Sequence, residues 1–152
     1  MTVSTPIRVL LAEDHPVVRQ SLRTILRALP NVFVVGESIT GEEAVLSAGC
    51  LQPDIVLMDV NIPIMDGITA TRMIKMKYPR ITVIGLTCHP PGDLFYAMTK
   101  AGAFEVLPKE KALELYGVMQ RAMASLSAPE RASRTGNSPF NVTSLKQNII
   151  DN

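Results

Sequence analysis

One short segment restricts the fold of this chain more than any other: an apolar run leads directly into a carboxylate, in Ile55-Val56-Leu57-Met58-Asp59. Such a run is typical of a strand that is buried on both faces, as in a parallel sheet. The run Ile7–Ala12 ends in the same way, at Glu13 and Asp14. Open α/β folds place their chemistry at the carboxyl ends of their strands, so we expect three acids at one edge of a sheet.

Strand-like and helix-like segments alternate along the chain, which predicts a parallel sheet with helices on both faces. The predicted strands are Ile7–Ala12, Val32–Glu37, Ile55–Met58, Thr82–Leu86 and Glu105–Leu107. The predicted helices are about Pro16–Leu29, Gly41–Cys50, Thr69–Lys77, Gly92–Ala101 and Lys111–Leu126. For five such units we expect a five-stranded α/β fold of the flavodoxin-like type, with strand order 2-1-3-4-5, in which strands 1 and 3 are neighbours.

Length and composition indicate one globular domain. The chain has 152 residues, of which 47% are hydrophobic and 19% charged, and its formal net charge is +1. We expect a domain over residues 7–126 and a C-terminal tail or linker start over residues 127–152, in which residues 143–150 have the pattern of a short helix. The balanced charge argues against nucleic-acid binding, and without a long apolar run we expect a cytoplasmic protein that does not contact the membrane. Two cysteines are too few for a disulfide framework, and Cys50 is expected to lie in the core.

The acids Glu13, Asp14 and Asp59 form the strongest candidate site. Carboxylates held close together repel one another, and a hard divalent cation with oxygen ligands relieves that repulsion, so the pattern indicates Mg²⁺. Asp59 alone has two interpretations. It is either a strand-end aspartate that accepts backbone hydrogen bonds, or a nucleophile that forms an aspartyl phosphate.

Two more residues at predicted strand ends favour the second interpretation. Thr87 follows the fourth strand, and its hydroxyl is suited to donate to a phosphoryl oxygen. Lys109 follows the fifth strand and offers a positive charge to the same group. Each has a simpler explanation by itself, in a turn or in solvent, but their shared edge with the three acids favours a phosphoryl-transfer site.

A wider set of motifs extends over residues 7–126. It consists of Val9–Pro16, Gly36-Glu37, Gly41–Ala44, Pro53–Asp59, Pro63, Met65-Asp66-Gly67, Leu86-Thr87, Ala101-Gly102-Ala103 and Lys109. This set resembles the receiver domain of bacterial two-component response regulators, in the NarL/LuxR-type branch. The resemblance implies that Asp59 accepts a phosphoryl group from a sensor histidine kinase or a phosphotransfer protein. It also implies Mg²⁺ held by Glu13, Asp14 and Asp59 together with the backbone carbonyl of Asn61.

The sequence departs from that family at the position three residues before the lysine, where Val106 replaces the usual aromatic ring. No helix-turn-helix pattern follows Leu126. We therefore expect output through a protein interface formed by helix 4, strand 5 and helix 5, in a homodimer or with another protein, and no direct nucleic-acid binding. The candidate contact residues are Phe95, Tyr96, Met98, Tyr116 and Met119.

Three alternatives remain at this point. The chain is a receiver fragment of a longer NarL/LuxR-type DNA-binding transcription regulator, or a receiver that serves only as an interaction module, or a phosphatase with an aspartate nucleophile. The phosphatase is disfavoured, because Asn61 stands where such enzymes of the haloacid-dehalogenase kind carry their acid. We expect a Mg²⁺-dependent phosphoacceptor that catalyses only its own phosphoryl transfer and dephosphorylation, and not an enzyme that acts on a separate substrate.

Overall fold

A computed structural model describes residues 5–126 of the chain. The strands are β1 (Ile7–Ala12), β2 (Val32–Ser38), β3 (Ile55–Asp59), β4 (Thr82–Thr87) and β5 (Glu105–Pro108). The α-helices are α1 (Pro16–Arg27), α2 (Gly41–Leu51), α3 (Gly67–Lys77), α4 (Asp93–Ala101) and α5 (Leu115–Ala124). All strand pairs are parallel, and the order β2-β1-β3-β4-β5 confirms the prediction.

The chain divides into two units, and the boundary between them follows Ala122. The sheet, helices α1 to α4 and the site described below belong to the first unit. The predicted tail over residues 127–152 and its short helix near 143–150 lie outside the described residues. No helix within residues 5–126 is both long enough and apolar enough to cross a bilayer.

The central strands are apolar because both of their faces are covered. Every residue of β3 and β4 is buried, as are the last four residues of β1. One core cluster joins these strands to residues of α2, α3 and α4, including Ala48, Ile74 and Met98. Burial of a Val, Leu or Ile side chain contributes about 1.5–3 kcal/mol, so these strands fix the sheet.

The strand register decides which residues leave the sheet together. Ala12 of β1 is paired with Met58 of β3, so the acids that follow them emerge side by side. Asp59 is in turn paired with Leu86 of β4, the residue just before Thr87.

The helix ends near the site follow local capping chemistry. The hydroxyl of Thr40 accepts a hydrogen bond from the N–H of Glu43 at 3.0 Å, as the sequence predicts for the start of α2. α3 begins two residues earlier than predicted, because the Asp66 carboxylate accepts from the N–H of Thr69 at 2.9 Å. Gly102 caps the C-terminal end of α4, and its φ of 113°, which favours glycine, confirms the predicted C-cap.

Two predictions about the helices are wrong. The segment that was predicted to begin the fifth helix at Lys111 is a 3₁₀ helix over Lys109–Glu114 with a kink at Lys111, and α5 begins only at Leu115. Apolar spacing alone does not separate this tight turn from an α-helix. Cys50 is exposed on α2 and does not fill the core.

The candidate contact residues divide between core and surface. Met98 and Met119 are fully buried, because they face the sheet from α4 and α5. Tyr96 is 66% exposed, and Phe104, which precedes β5, is 41% exposed.

Candidate functional site

The predicted acids meet at the carboxyl ends of β1 and β3. Ligand atoms of Glu13, Asp14, His15 and Asp59 all lie within 4.8 Å of one another. The three acids were predicted to converge, and they do. His15 was not predicted to belong to this cluster, since its sequence position indicates only the start of α1.

Glu13 and Asp59 are almost completely withdrawn from solvent, and Lys109 contacts both. The Nζ of Lys109 donates to Oε1 of Glu13 at 2.6 Å and lies 3.3 Å from Oδ1 of Asp59. The side chains of Glu13 and Asp59 are 1% and 4% exposed. The N–H of Asn61 donates to the same Oδ1 at 3.1 Å. The lysine that was predicted to approach a phosphoryl group thus contacts the acids directly.

Burial and these contacts shift the pKa values of Glu13 and Asp59 in opposite directions. Burial first, and then the neighbouring Asp59, raise the pKa of Glu13 to about 7, against the lowering effect of Lys109. Burial also disfavours charge on Asp59, but Glu13, Lys109 and the N–H of Asn61 hold the pKa of Asp59 below its ordinary value. For Lys109, the two acids outweigh burial and raise the pKa of the ammonium group. Of the two acids, Glu13 is therefore the one that takes up a proton more readily.

Two carboxylate oxygens of the cluster lack hydrogen-bond partners. Oε2 of Glu13 and Oδ1 of Asp14 are both buried and accept no hydrogen bond within the described part of the chain. A buried polar atom without a partner costs about 1–3 kcal/mol. An all-oxygen set with unused lone pairs suits Mg²⁺, which is held by carboxylates and waters, so the residues fit a divalent cation.

Thr87 occupies the end of β4 beside this cluster and is fully buried. Its hydroxyl oxygen accepts a hydrogen bond from the N–H of His89 at 3.0 Å and lies 3.4 Å from Nδ1 of the same ring. The side-chain amide nitrogen of Asn61 is 3.2 Å from that Nδ1. His89 therefore links the loop after β3 to the loop after β4, a contact that the sequence analysis missed.

Arg19 is a third residue that the sequence analysis missed. Its Nη1 donates to the carbonyl oxygens of Glu13 and Asp14, at 3.1 and 3.2 Å. Its Nε lies 3.9 Å from Oε1 of Glu37, which also forms a two-bond pair with Arg23. In the sequence, the only indication of this contact is a basic residue on the first turn of α1, shortly after the two acids. The carbonyls that Arg19 contacts are evident only from the tertiary structure.

Comparison with known proteins gives one consistent match. The family model of the response regulator receiver domain matches residues 9–117. The transcriptional regulatory protein LiaR of Bacillus subtilis (strain 168) is 40% identical over 117 residues, which make up 76% of this chain and 56% of LiaR. The chain thus spans little more than half the length of that relative.

Solved structures agree with this match. A two-component response regulator of the LuxR family from Aurantimonas sp. SI85-9A1 is 29% identical, with a TM-score of 0.76 over 85% of this chain and 94% of that one. The receiver domain of the sensor histidine kinase PA1611 from Pseudomonas aeruginosa PAO1 is 32% identical, with a TM-score of 0.72 over 80% of this chain and all of that one. A magnesium ion is coordinated in the active-site cleft of that receiver domain.

Proposed function

The chain belongs to the family of response regulator receiver domains, and we propose that Asp59 is its phosphoacceptor. One observation carries the proposal: Asp59 is a buried carboxyl group at a strand end, in contact with Lys109 and among acids with unused oxygens. A carboxylate oxygen of Asp59 attacks the phosphorus of the donor and forms a P–O bond. The bond between phosphorus and the donor breaks, and its electron pair leaves with the donor.

The proposed donor is a sensor histidine kinase or a phosphotransfer protein, and a small acyl phosphate replaces it in a test. Incubation of the full chain with acetyl phosphate and Mg²⁺ is expected to add one phosphoryl mass. A chelator in excess is expected to prevent the addition. Intact-mass measurements that show no addition under any condition contradict the proposal.

We propose that Mg²⁺ is held by Asp14 and Asp59 directly, by Glu13 partly through water, and by the backbone carbonyl of Asn61. When bound, the ion supplies positive charge that stabilises the phosphoryl oxygens. Support comes from the oxygens of Glu13 and Asp14 that accept no hydrogen bond within residues 5–126.

Asp14→Ala is expected to lower the Mg²⁺ affinity by at least about tenfold, since it removes one of the charged ligands. Calorimetric or NMR titration measures this change. Asp93→Ala serves as the matched control, because Asp93 is exposed at the start of α4, outside the acid cluster. Equal affinities in the Asp14 and Asp93 variants contradict the ligand set.

Arg19→Ala is expected to weaken Mg²⁺ binding by about tenfold, because Arg19 holds the backbone of the two residues that carry the ligands. Arg23→Ala is the control, since Arg23 shares Glu37 with Arg19 but makes no contact with those carbonyls. It is expected to change the affinity by less than about twofold. A similar loss in both variants indicates that the ion pairs act on the stability of α1 and not on the acid site.

We propose that Thr87 and Lys109 bind the phosphoryl group once it is attached. A phosphoryl group brings about −1.5 to −2 charges and three acceptor oxygens. Lys109 already lies 3.3 Å from Asp59, and the hydroxyl of Thr87 has a hydrogen to donate. Movement of this hydroxyl from His89 to the phosphoryl group draws the loop after β4 toward Asp59.

Thr87→Ala is expected to retain phosphorylation within about threefold of the unmodified chain, because Thr87 forms no bond to the attacking oxygen. The amide shifts of β4 and α4 that follow phosphorylation are expected to disappear. Thr99→Ala is the control on α4, where the Thr99 hydroxyl donates to the carbonyl of Phe95 within the same helix. Shifts of normal size in Thr87→Ala contradict the proposed coupling.

The proposed output is contact with a protein, in a homodimer or with a different partner, through the surface of α4, β5 and α5, and not contact with nucleic acid. The exposed rings of Tyr96 and Phe104 support this surface, and Nζ of Lys100 lies 5.6 Å from the ring centroid of Tyr96. Val106 is buried beside Gly85 and Met98, so it offers no ring to move between core and surface. Sedimentation before and after phosphorylation, with and without Tyr96→Ala, tests the surface, and an unchanged profile in both proteins contradicts self-association.

The match to a longer transcriptional regulatory protein supports a second proposal, in which this receiver controls DNA binding by another domain. The chain matches 56% of LiaR, whose name describes a transcriptional regulatory protein. We therefore retain the proposal that this receiver is part of a longer DNA-binding regulator. The sequence of the complete gene, examined for a helix-turn-helix segment after the receiver, distinguishes a longer DNA-binding regulator from a receiver that signals only through a protein interface.

A further inference from the structure

His15 lies at the acid cluster, although the proposed magnesium site does not use it. A ring nitrogen of His15 and oxygens of Glu13, Asp14 and Asp59 lie within 4.8 Å of one another. The Nδ1 of His15 is 3.4 Å from Oδ1 of Asp14, which is one of the two buried oxygens that accept no hydrogen bond among the described residues. The other is Oε2 of Glu13, whose side chain is 1% exposed. The cluster therefore combines an imidazole nitrogen with carboxylate oxygens that have unused lone pairs.

The distances suit a metal ion after a small adjustment. Zinc binds His nitrogen at about 2.0–2.1 Å and carboxylate oxygen at about 2.0–2.2 Å, so its ligand atoms lie roughly 3–4 Å apart. His15 is free to make this adjustment, since its side chain is 68% exposed and its backbone is extended, immediately before α1. Asp59 and Glu13 are fixed by their burial and by Lys109, so the exposed ring is the part that moves.

An imidazole ligand changes which ions the site prefers. Magnesium takes oxygen ligands and keeps part of its water shell, so a nearby nitrogen adds little to its binding. Imidazole suits zinc, copper and nickel, and these ions bind mixed nitrogen and oxygen sites more tightly than the earlier divalent metals do. The histidine beside the three acids therefore favours binding of zinc, copper or nickel and contributes little to binding of magnesium.

We propose that the receiver site is also a transition-metal site in which His15, Asp14 and Asp59 ligate Zn²⁺, in competition with Mg²⁺. The proposal rests on the function proposed above, because it assigns a second ion to the same acids. It gives His15 a role for which magnesium binding has no need. It also predicts that Zn²⁺ excludes Mg²⁺ from the site, since both ions need Asp14 and Asp59.

The test uses the full chain with Cys50→Ser and Cys88→Ser in every variant, because both thiols are exposed and cysteine thiolates are zinc ligands. Zn²⁺ and Mg²⁺ are titrated separately by calorimetry into this background protein, and then Mg²⁺ into the zinc-loaded protein. His15→Ala is expected to lower the Zn²⁺ affinity by at least about tenfold and to change the Mg²⁺ affinity by less than about twofold. Val17→Ala is the matched control, since Val17 is 76% exposed on the first turn of α1 and lies outside the acid cluster.

The outcomes separate this inference from the proposed function. Zinc affinity that is unchanged in His15→Ala, or that falls equally in Val17→Ala, overturns the role of His15 while magnesium binding stands. Zinc and magnesium that bind together without competition also overturn it. If Asp14→Ala leaves the affinity for both ions unchanged, the acid site itself is wrong, and the proposed metal-dependent function fails with it.

Discussion

Asp59→Asn is expected to abolish phosphorylation by acetyl phosphate completely. The amide is nearly the same size as the carboxylate, and its oxygen is still able to accept the hydrogen bond from the N–H of Asn61. The amide oxygen lacks the negative charge that makes the carboxylate oxygen a nucleophile toward phosphorus, so the loss is chemical and not structural. Intact mass spectrometry after incubation with acetyl phosphate and Mg²⁺ measures it, and peptide mapping of the unmodified chain locates the label.

Asp54→Asn provides the matched control for this substitution. Asp54 lies just before β3, at the opposite end of the strand from Asp59, and its carboxylate accepts from the N–H of Arg8 at 2.9 Å. The variant is expected to lose some stability and to retain its label. A label that persists in Asp59→Asn assigns the phosphoacceptor to another residue, and a label lost equally in both variants indicates damage to the fold.

Much of this site was predictable because its residues lie next to strongly patterned strands. An apolar run that is buried on both faces leaves few alternatives for its structure, and Ile55–Asp59 and Thr82–Thr87 are buried throughout, as predicted. The positions of Glu13 and Asp59 then follow from the strand order, because neighbouring parallel strands end at the same edge. The family resemblance and the residue pattern therefore indicate the same site.

The missed contacts depend on side-chain directions that no periodic pattern encodes. Arg19 donates to two carbonyls, and every residue has a carbonyl, so the sequence carries no mark of that choice. The positions of His15 and His89 depend on rotamers and on loop paths in three dimensions. Cys50 was misplaced for a related reason, since a helix with small residues on its buried face gives only a weak indication of which side faces solvent.

The structure explains why the Met65-Asp66-Gly67 motif has glycine at its third position. Gly67 is the first residue of α3 and packs against the end of β3, where its N–H donates to the carbonyl of Val60 at 3.0 Å. A Cβ atom at Gly67 would lie 2.3 Å from the carbonyl oxygen of Asp59 and 2.8 Å from Cα of Val60. Both neighbours are backbone atoms, so no side chain is able to rotate away and relieve the overlap.

Gly67→Ala is therefore expected to destabilise the fold by about 1–3 kcal/mol, the typical range for overpacking at a buried position. It is also expected to reduce labelling of the folded fraction by at least about tenfold, because relief of the overlap moves the peptide that carries Asp59. Urea unfolding measures the first effect, and phosphoryl mass at low urea measures the second. Gly117→Ala is the control: nothing lies within 4 Å of a Cβ at that position in α5, and the variant is expected to gain about 0.5–1 kcal/mol in stability with unchanged labelling. If Gly67→Ala is as stable and as well labelled as Gly117→Ala, then close packing of α3 against the end of β3 does not position the phosphoacceptor.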